Sequence, residues 1–271
     1  MYYYINNQFI PADQAAVSVK DLALQRGYGV FDFFKTINGE AQFLDEHLNR
    51  FFNSAQHLRL PVAYSKEALK AIIAELMQQN NMADSGIRIT LTGGASESGY
   101  AIATPNLIIT QQAMQFNHQL AGKGFRLITY QHQRQLPFAK TTDYIMGIWL
   151  QPLIQQQHAD EILYHQNGWI TETPRANFFI VTKDQKIITT KNNILQGITR
   201  NRIINIAQNE FEVEERDIHL NELPDAAESF ITSTTKQLMP VSQIDEIMIG
   251  KGTTGEISKW LFNQLVFHVK I

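Results

Sequence analysis

The 271-residue chain contains no cysteine. That absence excludes disulfides, thiolate catalysis and zinc–thiolate sites. Charge of one sign is also scarce: the formal net charge is −3, with no long like-charge block. This argues against nucleic acid or an anionic membrane as the main partner. No apolar run approaches the roughly 20 residues of a membrane helix. The start, Met1 to Asn7, lacks a basic region followed by an apolar core, so no signal peptide is expected and a cytoplasmic soluble protein is. The glycines of the loop Thr92–Tyr100 form neither GxGxxG nor a P-loop, HExxH and GxSxG are missing, and the eight histidines are scattered, so metal catalysis is not expected.

What is present is ordinary for a globular protein, 44% hydrophobic and 18% charged. The length allows one large domain or two modest ones. Tyr2–Ile5 and Gln8–Ile10 flank Asn6-Asn7, a hairpin pattern. Leu44, Leu48, Phe51, Phe52, Ala55 and Leu58 make a helical stripe that carries Arg50, and Ser65 caps a second helix. Asn167-Gly168 marks a further hairpin. Gln111 to Gly124 is polar, rich in glutamine and carries two glycines, and within it 113–122 is the expected linker between an N-terminal domain, 1–112, and a C-terminal one, 123–271. Mixed helices and hairpins predict the α+β class rather than a doubly wound parallel sheet.

One stretch organises the chain, Pro137-Phe138-Ala139-Lys140-Thr141-Thr142-Asp143-Tyr144. Its lysine lies between apolar neighbours, after a strand-like run and before a helix-like one. Partial burial there lowers an amine's pKa and leaves it nucleophilic toward an aldehyde. Four residues on, Tyr144 shares its helical face if the helix has begun. Gly197-Ile198-Thr199 enters a helix, whose free N–H groups make an anion site. Ser233-Thr234-Thr235 offers hydroxyl and backbone donors, Arg50 a charged donor, and Glu172 a carboxylate beside aromatic residues. Taken singly, each has an ordinary reading: a snorkelling lysine, a capped helix, a polar turn, a solvated arginine, a surface glutamate, a core tyrosine. Together they match what a phosphorylated pyridine aldehyde needs.

The order of Arg26-Gly27-Tyr28-Gly29-Val30-Phe31-Asp32, His47-Leu48-Asn49-Arg50, the Lys140 segment, Glu172 with Asn177, Ile194 to Arg200, and Thr234-Thr235 with Pro240-Val241 resembles the class IV aminotransferases. These are the fold-type IV pyridoxal-phosphate enzymes: branched-chain aminotransferases, D-amino-acid aminotransferases and aminodeoxychorismate lyases. The resemblance runs from about Asp21 to Asp245. It implies two α/β domains with pyridoxal 5'-phosphate between them, in a homodimer. It implies that Lys140 is the cofactor-bearing, catalytic lysine. Arg50, Ile198, Thr199 and Thr234 would hold the phosphate, with Gly197 and Asn177 in the cofactor site. Glu172 would meet the ring nitrogen and Tyr144 the phenolic oxygen. Two departures stand out: Gln196 replaces a usual proline, and Pro174-Arg175-Ala176 replaces a usual small run.

The expected activity is transfer of an amino group between an amino acid and a 2-oxo acid. A pyruvate-eliminating aminodeoxychorismate lyase is the alternative, and a cofactor-binding protein without turnover a second one. The D-specific relatives carry an arginine and a histidine in the loop matching Thr92–Tyr100, and this chain has neither there. Glu97 in that loop would repel a carboxylate. Phe31, Phe33 and Tyr100 are expected to line an apolar pocket, so an apolar, branched-chain-like L-amino acid is the expected substrate. Thr234-Thr235 would seat its carboxylate, helped by Arg26 or Arg134.

Overall fold

The computed structural model describes residues 1–116 and 119–268. Two residues of the expected linker, 117 and 118, lie outside them. The chain folds into two compact units. Unit 1 comprises 1–116 with 139–143; unit 2 comprises 117–138 and 144–271. The lysine segment therefore packs with the N-terminal unit, a return that the boundaries read from sequence do not contain.

Unit 1 holds β1 (Tyr2–Ile5), β2 (Gln8–Pro11), α1 (Leu22–Arg26), β3 (Gly29–Ile37), β4 (Glu40–Ala41), α2 (Leu44–His57), α3 (Lys66–Asn80), β5 (Ser85–Thr92) and β6 (Leu107–Ala113). The sheet order is β2-β1-β6-β5-β3-β4, antiparallel throughout. Antiparallel pairing lets one face of a sheet take a core while the other stays available. Here Val30 and Phe34 of β3, Ile87 and Ile89 of β5, and Ile109 of β6 bury against Leu48 and Phe51 of α2 and Leu69, Ile73 and Leu76 of α3. Ser65 caps α3 by accepting from the Ala68 N–H at 3.1 Å.

Unit 2 holds β7 (Phe125–Gln131), α4 (Ile145–Trp149), α5 (Gln151–Gln156), β8 (Glu161–Gln166), β9 (Trp169–Ile170), β10 (Asn177–Val181), β11 (Ile187–Thr189), α6 (Ile198–Ala207), β12 (Val213–Glu215), β13 (Ile218–His219), β14 (Glu228–Ser233), β15 (Gln237–Ile244), β16 (Ile247–Met248) and α7 (Glu256–His268). Its sheet runs β12-β11-β10-β14-β15-β7-β8-β9-β13. A bridge between Glu172 and Asn177 links the chain leaving β9 back to β10. The strands β10, β14, β15, β7 and β8 contribute Leu127, Leu163, Phe178, Ile231, Val241 and Ile244 to one core. The expected α+β class is what forms. No helix among the described residues is long and apolar enough to cross a membrane.

Candidate active site

In unit 1 the Lys140 segment lies along the start of β3. The Phe31 N–H donates to the Lys140 carbonyl at 2.9 Å, and the Thr142 N–H to the Gly29 carbonyl at 2.9 Å. The Lys140 N–H donates to Ser54 Oγ of α2 at 3.1 Å, and Thr142 Oγ1 to the Gly27 carbonyl at 2.7 Å. Backbone pairing on one side and a hydroxyl anchor on the other set the direction of the lysine side chain. Its Nζ stands 4.6 Å from the centre of the buried Phe31 ring, and the Arg88 guanidinium stands 3.9 Å from the same ring. Arg88 was not visible as a site residue in the sequence. Its signal is a lone cation in the apolar β5 run Ile87-Arg88-Ile89, opposite Phe33 in register.

Arg50 is tied more tightly than a solvated helix residue. Its Nε and Nη2 donate to Asp32 Oδ2 and Oδ1 at 2.8 and 2.9 Å. His47, one turn earlier on α2, meets Asp32 Oδ1 through Nδ1 at 2.7 Å. Asp32 is fully buried. Burial opposes its charge, but the Arg50 guanidinium and the hydrogen bonds from Arg50 and His47 outweigh it, holding the carboxyl well below the usual range. Burial pushes the His47 imidazole down, against the pull of Asp32. A sequence reading could have found this from the aspartate inside the apolar run Val30–Phe34 and the i,i+3 spacing of His47 and Arg50.

In unit 2, Glu172 is 5% exposed. Its Oε1 accepts from Arg134 Nε at 2.8 Å and its Oε2 from the Leu195 N–H at 3.0 Å. Arg134 Nη2 also donates to the Pro137 carbonyl at 2.6 Å. Arg134, considered from sequence as a substrate ligand, is thus engaged with Glu172 instead. Asn177 Nδ2 donates to the Leu195 carbonyl at 2.8 Å. A Cβ on Gly197 would overlap Asn177 Oδ1, so only glycine allows that close approach. Gly197 caps the ten-residue α6 without any side-chain hydrogen bond, which leaves the first N–H groups, those of Ile198 and Thr199, for an anion. Gln196, standing where proline is usual, accepts from Arg200 Nη1 at 3.1 Å.

Thr234 and Thr235 lie in the three-residue turn between the paired Ser233 and Gln237. Thr234 is half-buried and Thr235 exposed. Nearby in β14, opposite Asn177 in register, Thr232 Oγ1 is buried without a hydrogen-bond partner. The structure therefore assembles Glu172, Asn177, Gly197, Ile198 and Thr199 in one neighbourhood of unit 2. Lys140, Phe31 and Arg50 belong to unit 1.

Two expectations change. Tyr144 is the N-cap of α4, outside its helical turns, so Lys140 and Tyr144 do not share a helical face. Tyr100 is 87% exposed and lines no apolar wall of this chain, because the loop from Gly93 to Thr104 carries its Ser98-Gly99-Tyr100 tip outward. Glu97 in that loop pairs with Lys20 at 2.8 Å, which offsets the repulsion expected of it.

Within unit 2, a buried carboxylate, a glycine cradle beside an uncapped helix start and an orphaned buried hydroxyl fit a phosphorylated ring cofactor. The family described as amino-transferase class IV matches residues 29–244. A D-alanine aminotransferase of Listeria monocytogenes serotype 4b (strain F2365) is 30% identical over 97% of this chain and 94% of its own length. A putative branched-chain-amino-acid aminotransferase of Methanocaldococcus jannaschii is 31% identical over 96% and 94%. A T.th. branched-chain amino acid aminotransferase solved with pyridoxamine 5'-phosphate superposes with a TM-score of 0.92 at 28% identity, covering 99% of this chain and 93% of that one. The chain belongs to the class IV aminotransferases. It has their fold, and pyridoxal 5'-phosphate is the cofactor of the class.

Proposed function

We propose that this aminotransferase takes an amino group from an apolar, branched-chain-like L-amino acid and passes it to a 2-oxo acid, as a cytoplasmic homodimer. The observation that carries the reading is the Phe31 ring with Lys140 Nζ and the Arg88 guanidinium both over it. An apolar ring favours an aliphatic side chain by about 0.8 kcal/mol per buried CH₂. The Arg88 guanidinium offers a charge-assisted donor beside that ring, and the substrate carboxylate would rest on the Thr234-Thr235 turn. The homodimer reading is supported by Ile145, Ile148 and Trp149, large apolar residues left exposed on α4.

Lys140 would bear the cofactor and, once released, would take the α-proton and return it. Arg50 of unit 1 would be a phosphate ligand, and in unit 2 Thr234 and the first N–H groups of α6 would be phosphate ligands. Glu172, oriented by Arg134 and the Leu195 N–H, is the negative partner of the ring nitrogen. When bound, the cofactor supplies the electron sink for charge developing at the α-carbon.

The test is the half-reaction of L-leucine, L-isoleucine, D-alanine and L-glutamate, each followed by loss of cofactor colour. L-leucine and L-isoleucine are expected to react, and D-alanine more slowly. The D-alanine aminotransferase relative supports a second reading, D-alanine as donor. A faster D-alanine reaction selects it and sinks the first. Pyruvate release from aminodeoxychorismate without transamination would select the lyase.

A further inference from the structure

Glu161 opens β8 and is only 1% exposed. Its Oε2 accepts from Arg175 Nη2 at 3.2 Å and lies 3.5 Å from Lys236 Nζ. Its Oε1 accepts from the Ile162 N–H at 3.3 Å. Arg175 belongs to the segment that leads from Glu172 to Asn177. Lys236 ends the turn that carries Thr234 and Thr235, and its N–H donates to Ser233 Oγ at 3.1 Å. Both segments lie where β10 and β15 begin and β14 ends.

Burying a carboxylate is costly unless a cation meets it, and one cation suffices for that. Here there are two, so the cluster carries one positive charge in excess. Burial pushes the Lys236 amine down, Glu161 pulls it up, and Arg175 pushes it down again, so all three charges sense one another. The Arg175 side chain is 61% exposed and engages Glu161 through Nη2 alone. Its remaining N–H donors form a planar fork suited to an incoming carboxylate.

We propose that Arg175 and Lys236, held in place by Glu161, receive an anionic group of the substrate remote from the reacting amine. The ligand class is a dicarboxylic amino acid or its 2-oxo counterpart, with the second carboxylate on this pair. This rests on the transaminase reading with substrate at the Thr234-Thr235 turn. It is compatible with an apolar donor, because donor and acceptor occupy a transaminase in succession. Glu161 is a positioning residue, since it acts only through the two cations.

The experiment uses the holoenzyme and two dead-end probes, glutarate and 4-methylvalerate. Each is measured as an inhibitor of the L-leucine half-reaction and by the shift it causes in thermal unfolding, a readout that needs no turnover. Losing one charge-assisted contact weakens binding about tenfold or more. Arg175→Met is therefore expected to lower the preference for glutarate over 4-methylvalerate about tenfold in both readouts. Lys236→Met is expected to act in the same direction, and Glu161→Asp to retain more of the preference than Glu161→Gln. Because Glu161→Gln leaves the largely buried Lys236 without its counter-charge and can fail to fold, the exposed Arg175 variant decides.

An unchanged preference in Arg175→Met overturns the proposal. So does a loss of cofactor affinity with glutarate binding intact, which would assign the cluster to the cofactor phosphate. If no amino acid reacts with the wild-type holoenzyme, the transaminase reading fails, and the unfolding shift with glutarate still judges the receptor.

Discussion

Arg134 Nε and Glu172 Oε1 meet at 2.8 Å in unit 2, both largely buried. Glu172 cannot turn freely: a guanidinium holds one oxygen and a backbone N–H the other. This pair makes Arg134 a structural support for the residue proposed to face the ring nitrogen, and the first prediction separates the two roles. Glu172→Gln keeps the cofactor and loses about 100-fold in kcat, the scale for removing a preorganised electrostatic partner. Arg134→Met destabilises the fold by about 3 kcal/mol, the cost of leaving a buried carboxylate without its cation. Turnover assays and urea unfolding check them, and near-normal turnover in Glu172→Gln would show that the ring partner lies elsewhere.

Borohydride treatment of the holoenzyme is expected to fix the cofactor on Lys140. Peptide mapping reads the position. An adduct on any other lysine ends that assignment, including on Lys35, the other lysine with a β3 setting.

Arg50→Ala is expected to weaken cofactor binding about tenfold, from the loss of one charge-assisted contact. The Asp32 pair adds a second consequence, lower stability of the cofactor-free protein, because a buried carboxylate loses its main partner. Asp32 also sets an acid response. Its folded pKa lies below the unfolded one, so its contribution is present above pH about 4 and is lost as pH falls through the folded value. Asp32→Asn should flatten the stability–pH curve below pH about 4. Unfolding curves between pH 2 and 7 for both proteins test it, and parallel curves would remove Asp32 as the cause.

Lys35 is buried in β3, 4% exposed, with no hydrogen-bond partner for Nζ and the Phe116 ring 5.1 Å away. Burial pushes its amine down to about 8. A base with a lowered folded pKa destabilises the protein below that value, and the penalty fades as pH rises toward the unfolded value near 10.5. Lys35→Met should therefore stabilise the protein at pH 7 by about 2 kcal/mol and do so less at pH 10. Equal gains at both values would mean that packing, not charge, is responsible.

Much of this protein is readable along the chain because it is local. The stripe from Leu44 to Leu58 is a helix, Ser65 caps the next, and Asn167-Gly168 turns a hairpin. Gly197 does start a helix with no side-chain cap. Such features depend on spacing and on one or two residues, and so survive without knowledge of the fold.

What the sequence by itself determined is the class of the protein, since the Lys140 segment, Glu172, Gly197-Ile198-Thr199 and Thr234 stand in an order that few folds share. It also carried the α+β class, through the alternation of helical stripes and hairpins. Only the tertiary structure decided who pairs with whom: Arg50 with Asp32 across 18 positions, Arg134 with Glu172 across 38, Arg175 with Glu161 across 14, and Lys236 with that same carboxylate from a distant turn. It also put Tyr144 at a helix cap and Tyr100 in solvent. The physical reason is range. A periodic pattern records which face of an element is apolar, whereas a buried charge is stable only beside its counter-charge, and strand pairing, not sequence distance, brings the two together.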